Sequence, residues 1–162
     1  MARIGNPVLE VPVRPGRARS APRADLVLRV LAAVALGVDG YVHAIDASFY
    51  TASRGGALAQ STLFLIETVA ASLAAGVLLL GWRVPALSRA SWLAAFAVST
   101  SALSGVLLYR YVNVGALGPI PNMYEPTWAV RGKLPSAYAE AAATVLTAVG
   151  YLRAGYLPSG RS

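Results

Sequence analysis

Four long apolar stretches dominate the hydrophobic pattern of the chain. They cover residues 26–47, 63–82, 92–109 and 137–156. Each is close to the ~20 residues that a helix needs to cross about 30 Å of hydrocarbon. Lipid offers no hydrogen-bond partner to the backbone, so stretches of this kind form helices. The pattern predicts an all-α fold, a four-helix transmembrane bundle with up-down-up-down topology.

The composition also indicates a membrane protein. Of the 162 residues, 56% are hydrophobic and 13% are charged, whereas about 25% are charged in a soluble domain. The chain has no cysteine, which excludes disulfides, thiolate metal ligands and cysteine nucleophiles. No GxGxxG, Walker, HExxH or GxSxG motif is present, which counts against the enzyme classes that use them. A non-enzymatic role is favoured.

The basic residues are distributed unevenly along the chain. The net charge is +7, and the residues before the first stretch are rich in arginine but have no interleaved aromatic residues. We therefore expect residues 1–25 to be a disordered basic tail near lipid, with no nucleic acid as partner. If the N-terminus is cytoplasmic, ten of the fourteen basic residues lie on that side. The positive-inside rule then places both termini, including a short tail at 157–162, in the cytoplasm.

The acidic residues are few, and four of the seven lie inside apolar stretches. Counting at ~1.5 Å of rise per residue, Asp46 lies at the outer surface and Asp39 about 12 Å below it. The same count places His43, the single histidine, about 6 Å deep, Glu67 about 6 Å deep and Glu140 about 5 Å deep. We therefore expect His43, Glu67 and Glu140 to share one layer, with Asp46 above it and Asp39 below. Carboxylates are costly in lipid, so these side chains should face the interior of the bundle.

Several roles fit such a cluster. Histidine and carboxylates are ligands for a divalent metal ion such as zinc, iron or manganese, and the candidate metal ligands are His43, Glu67, Glu140, Asp39 and Asp46. The same groups could relay protons. Haem is disfavoured because a second axial ligand is lacking. In a purely structural role, the acids would bond to tyrosines or to Ser99, Ser101 and Ser104 and fix the register of the helices.

Each of these roles of the cluster implies a different kind of protein. The favoured interpretation is a non-enzymatic membrane protein that binds a metal ion or protons near the outer face. In the alternative, the chain is an accessory subunit that packs against a larger membrane complex or against itself, and the cluster serves helix packing alone. A membrane enzyme that uses the carboxylates is a third interpretation, with no motif to support it.

Residues near the predicted helix ends carry further expectations. Arg29 should extend to the lipid headgroups, and Trp92 should lie at the inner interface. The Gly- and Pro-rich loop at 112–136 should form turns or coil. Its apolar side chains would either cover the outer end of the bundle as a lid or anchor the loop in the interface; they are Ile120, Met123, Tyr124 and Trp128.

Four segments carry a family resemblance. VHAIDASFY ends the first stretch, LFLIETVAASLAAGVLLL forms the second, EPTW lies in the loop and YAEAAATV opens the fourth. On these segments, residues 26–156 resemble small four-span integral membrane proteins of high-GC bacteria. The resemblance implies a multi-pass protein of the bacterial inner membrane, and it implies no activity. His43, Glu67 and Glu140 occupy positions that are polar in such proteins, whereas Asp39 and Asp46 are not part of the pattern.

Overall fold

The computed structural model describes residues 22–51 and 55–155. Within them the fold is all-helical. The elements are α1 (Pro22–Asp46), α2 (Gln60–Arg83), a short 3-10 helix (Pro85–Leu87), α3 (Ser88–Tyr111) and α4 (Lys133–Gly155). The predicted tails at 1–25 and 157–162 lie outside the described residues, except that residues 22–25 form the first turn of α1.

Each helix begins before the apolar stretch that predicts it. The helix α4, for example, begins at Lys133 rather than at residue 137. Hydropathy marks the part of a helix that tolerates lipid, whereas backbone hydrogen bonding continues into polar residues at the ends. Pro22 begins α1, where a missing N–H costs nothing because the first turn has no internal acceptor for it.

Three helices in the described ranges are long and apolar enough to cross a membrane. They cover Arg23–Asp46, Gln60–Arg83 and Pro85–Tyr111. On α2, large apolar side chains point away from the bundle; among them are Leu65, Val69 and Leu73. A continuous apolar surface of this kind fits contact with lipid. The chain therefore has the character of a membrane protein with a helical bundle.

The helices pack in a closed ring, in which α1 contacts α2 and α4, and α3 contacts the same two neighbours. One cavity is lined by His43 near the end of α1, Phe64 near the start of α2, Tyr109 near the end of α3 and Ser136 near the start of α4. These four helix ends therefore meet at one end of the bundle, which we call the site end.

The core between the helices consists mainly of small residues. Five alanines and three larger side chains form it; they are Ala32, Leu36, Ala71, Ala74, Leu78, Trp92, Ala95 and Ala143. Small residues allow helix backbones to approach closely. Gly150 on α4 lies so near Trp92 that a Cβ atom there would collide with the indole ring. The fully buried Trp92 thus occupies the space left by Gly150 and packs in the core, while its place at the inner interface stays a prediction.

Arg29 is fully buried in this core, so the expectation that it extends to the headgroups is wrong. Its guanidinium donates to the carbonyl oxygen of Leu78 (2.7 Å) and to the hydroxyls of Ser88 (2.7 Å) and Ser91 (3.1 Å). Its Nε donates to Asp25 at 2.8 Å. The first turn of α1, the last part of α2 and the start of α3 supply these acceptors, so the guanidinium is hydrogen-bonded inside the protein.

The loop between α3 and α4 covers the site end. The backbone N–H of Leu58 donates to the carbonyl of Pro119 (2.9 Å), and the N–H of Glu125 donates to the carbonyl of Tyr109 (3.0 Å). These bonds hold the loop against the ends of α2 and α3. Two of its apolar side chains, Ile120 and Met123, line the cavity, as the lid interpretation predicts.

Candidate functional site

Three acids lie at equal depth from the site end. Asp39 is seven residues before the end of α1, and Glu67 and Glu140 are each seven residues after the start of their helices. At ~1.5 Å per residue, each lies about 10 Å from its helix end. His43 is one turn closer to the end. The layer therefore contains Asp39 with Glu67 and Glu140, whereas the sequence places Asp39 below the others.

Asp39, His43 and Glu140 come together, and we call them the acid–histidine group. A possible ligand atom from each lies within 4.8 Å of the others. Asp39 is 0% exposed and Glu140 is 1% exposed. Asp39 and His43 are four residues apart and so share one face of α1. Contact between α1 and α4 brings Glu140 to this face.

The hydrogen bonds of His43 indicate which nitrogen is available to a ligand. Its Nδ1 lies 3.0 Å from Oδ1 of Asp39 and 3.1 Å from the carbonyl oxygen of the same residue. Both atoms are acceptors, which assigns the hydrogen to Nδ1 in the neutral ring. An ion held by both His43 and Asp39 would replace this hydrogen, because it would lie between Nδ1 and the carboxylate, so Nδ1 is the ligand atom that faces the acid–histidine group.

Ser136 connects the two acids. Its hydroxyl lies 3.0 Å from Oδ1 of Asp39 and 2.9 Å from Oε1 of Glu140. A hydroxyl carries one hydrogen, so it can satisfy only one of two ionised carboxylates fully. The other carboxylate oxygens, Oδ2 of Asp39 and Oε2 of Glu140, are buried and have no hydrogen-bond partner within residues 22–51 and 55–155. Buried acceptors left in this state are costly.

Glu67 and Asp46 lie near the acid–histidine group but do not belong to it. Both line the cavity at the site end. The Oε1 atom of Glu67 is buried and has no partner in the described part of the chain. Asp46 packs against Gly132, which has a φ of +76° and no room for a Cβ beside this carboxylate. Of the five predicted metal ligands, the structure therefore brings three into one group and leaves two on the cavity wall.

Ser136 is not among the serines predicted as partners for the acids. Those are Ser99, Ser101 and Ser104, but the hydroxyl of Ser99 instead lies 3.5 Å from the hydroxyl of Thr147. A simple sequence feature could have identified Ser136, because it precedes Glu140 by four residues and so lies on the same helix face.

No family model, curated protein or solved structure matches the chain. A fold of four helices hosts many unrelated functions, so the function has to be argued from the site.

Proposed function

We propose that this chain is a multi-pass membrane protein that binds a divalent metal ion, such as Zn²⁺ or Mn²⁺, at the acid–histidine group. The observation that carries the proposal is the approach of two buried carboxylates and one imidazole to within 4.8 Å. These are the donor types that such ions take, with bonds of about 2.0–2.2 Å for zinc. The role is one of binding, without a catalysed reaction.

The ion would satisfy groups that the protein leaves unsatisfied. Oδ2 of Asp39 and Oε2 of Glu140 have no hydrogen-bond partner among the described residues, and a cation supplies the positive charge that both need. Two buried carboxylates repel one another, and a divalent cation converts this repulsion into attraction. Asp39 lies on α1 and Glu140 on α4, so the ion would also join the two helices.

Metal analysis tests the proposal. We expect purified protein, loaded with Zn²⁺ and passed through a desalting column, to retain about one ion per chain. The variant His43→Gln should retain less than about a tenth of that amount, because it lacks the imidazole ligand. Glu125→Gln is the matched control, since Glu125 lies in the loop and outside the group. Metal-free wild-type protein, or full loading of His43→Gln, would contradict the proposal.

One observation favours a second candidate function. The Ser136 hydroxyl already joins Asp39 to Glu140, so the group can fix the packing of α1 on α4 without an ion. In that case the chain would be an accessory subunit of a larger membrane complex, or would associate with itself. Wild-type protein that binds no metal, but co-purifies with specific membrane proteins, would favour this function over the first.

We further infer that all four helices cross a bacterial inner membrane in up-down-up-down order, with both termini in the cytoplasm. The positive-inside rule supports this orientation, and it places the site end outside. The chain has no cysteine, so single cysteines report cleanly on topology. In intact cells, an impermeant thiol reagent should label Ser48→Cys and Ala129→Cys but not Ala86→Cys. The reverse labelling pattern would invert the orientation.

A further inference from the structure

The cavity at the site end has the size and walls of a small-molecule site. Its volume is about 410 Å³, within the range of roughly 300–1,000 Å³ that is common for such sites. All four helices and the covering loop contribute to it. Apolar side chains form much of its wall; among them are Leu63, Phe64, Ile66, Val106, Ile120 and Met123.

The charged residues of this cavity are mainly acidic. Four acids line it, Asp46, Glu67, Glu125 and Glu140, against the bases Arg131 and Lys133 and the imidazole of His43. Within residues 22–51 and 55–155, neither base forms an ion pair with these acids. The guanidinium of Arg131 lies 4.6 Å from the centre of the Phe49 ring, and Nζ of Lys133 donates to the carbonyl of Glu125. The cavity therefore favours a positively charged occupant.

The unsatisfied atoms at the cavity wall are all acceptors. Glu140 is 1% exposed, and its Oε2 has no partner among the described residues; the same holds for Oε1 of Glu67. The other buried atoms without partners in the described ranges belong to residues that do not line the cavity. An occupant that complements this wall must bring hydrogen-bond donors.

An aromatic cluster stands beside these carboxylates. The ring of Phe64 makes edge contacts with the rings of His43 and Tyr50, each at 5.2 Å between centres. Aromatic rings attract cations through their negative faces. The cavity thus combines the features that recognise an ammonium ion attached to an apolar body.

We propose that the cavity binds a lipophilic primary ammonium ion. The ammonium group donates to Glu67 and Glu140, and the hydrocarbon part packs against the apolar wall contributed by α2, α3 and the loop. The proposal does not depend on a metal ion at the acid–histidine group. A small organic amine is thus the chemical class of ligand that this end of the bundle is built to take.

Three probes with one apolar body test the proposal. They are 2-phenylethylammonium, neutral 2-phenylethanol and anionic phenylacetate, titrated calorimetrically against metal-free protein in phosphatidylcholine nanodiscs, with empty nanodiscs as the blank. The ammonium probe should bind at least about tenfold more tightly than the alcohol, and phenylacetate more weakly still. Equal or tighter binding of the alcohol or the anion would overturn the proposal.

Two glycines provide a matched pair of variants. A Cβ at Gly105 or at Gly76 meets no other atom within 4 Å, but only Gly105 lines the cavity. Gly105→Leu should weaken binding of the ammonium probe at least about tenfold, whereas Gly76→Leu should change it less than about twofold. Glu67→Gln, which keeps the side-chain shape, should abolish the preference for the ammonium over the alcohol. Wild-type affinity in Gly105→Leu would overturn the proposal.

A further variant separates this proposal from the metal site. Asp39 belongs to the acid–histidine group but does not line the cavity. Asp39→Asn should therefore lose Zn²⁺ and keep ammonium affinity within about threefold, whereas Gly105→Leu should do the opposite. Loss of ammonium binding in Asp39→Asn would contradict the separate cavity site, whatever the result for the metal.

Discussion

Replacing Arg29 with methionine is expected to lower the free energy of unfolding by about 3–5 kcal/mol. The side chain is fully buried, and its guanidinium serves acceptors on three elements. The carbonyl of Leu78 and the hydroxyl of Ser88 lose their donor in the variant, and Asp25 loses its ion pair. Methionine fills much of the space but offers none of these donors.

Denaturant titration in mixed micelles, followed by circular dichroism, measures this effect. The control is Arg83→Met at the exposed end of α2, which should change the free energy of unfolding by less than about 0.5 kcal/mol. The free energy of unfolding of Arg29→Lys should lie between those of Arg29→Met and wild type, since an ammonium keeps the charge but lacks the several planar N–H donors of a guanidinium. Equal stability of Arg29→Met and wild type would show that the buried contacts of Arg29 contribute little.

The second large effect, expected from the proposed metal site, is stabilisation of the fold by Zn²⁺. At a free Zn²⁺ concentration about 100 times the dissociation constant, wild-type protein should gain about 2.7 kcal/mol in its free energy of unfolding. Asp39→Asn should gain less than about 0.5 kcal/mol, because the amide is a much poorer ligand than the carboxylate. Thermal or denaturant unfolding with and without Zn²⁺ measures the difference.

An Asp→Asn substitution elsewhere on α1 provides the control for the zinc-dependent gain in stability. Asp46 lines the cavity but lies outside the acid–histidine group, so Asp46→Asn should keep most of the zinc-dependent gain. Similar losses in Asp46→Asn and Asp39→Asn would mean that a diffuse acidic surface, rather than a defined ligand set, attracts the ion.

Hydrophobic pattern predicts the helices well, since the four described α-helices coincide with the four apolar stretches apart from their ends. Depth along a helix also follows from residue counting. Glu67 and Glu140 share a layer as expected, although both lie deeper than counted because α2 and α4 begin before their apolar stretches. The expected place of His43 in that layer is wrong, since Asp39 occupies it instead. These properties are local, because they depend on spacing within one segment.

Counting residues along a helix does not predict how the helix is rotated about its axis. This rotation decides that Asp39 rather than Glu67 joins His43 and Glu140, because Asp39 faces α4 while its neighbour Gly40 faces α2. The burial of Arg29 depends in the same way on acceptors from distant segments. These contacts depend on the packing of all four helices, so the spacing within one segment does not predict them.

X-ray absorption at the zinc edge, on protein loaded with one equivalent of Zn²⁺, tests the metal site most directly. We predict an inner shell of one imidazole nitrogen from His43 and carboxylate oxygens from Asp39 and Glu140, at about 2.0–2.2 Å. Glu140→Gln should lose or rearrange this shell. A shell without an imidazole, or one that is identical in Glu140→Gln, would contradict the assignment of the acid–histidine group as the metal site.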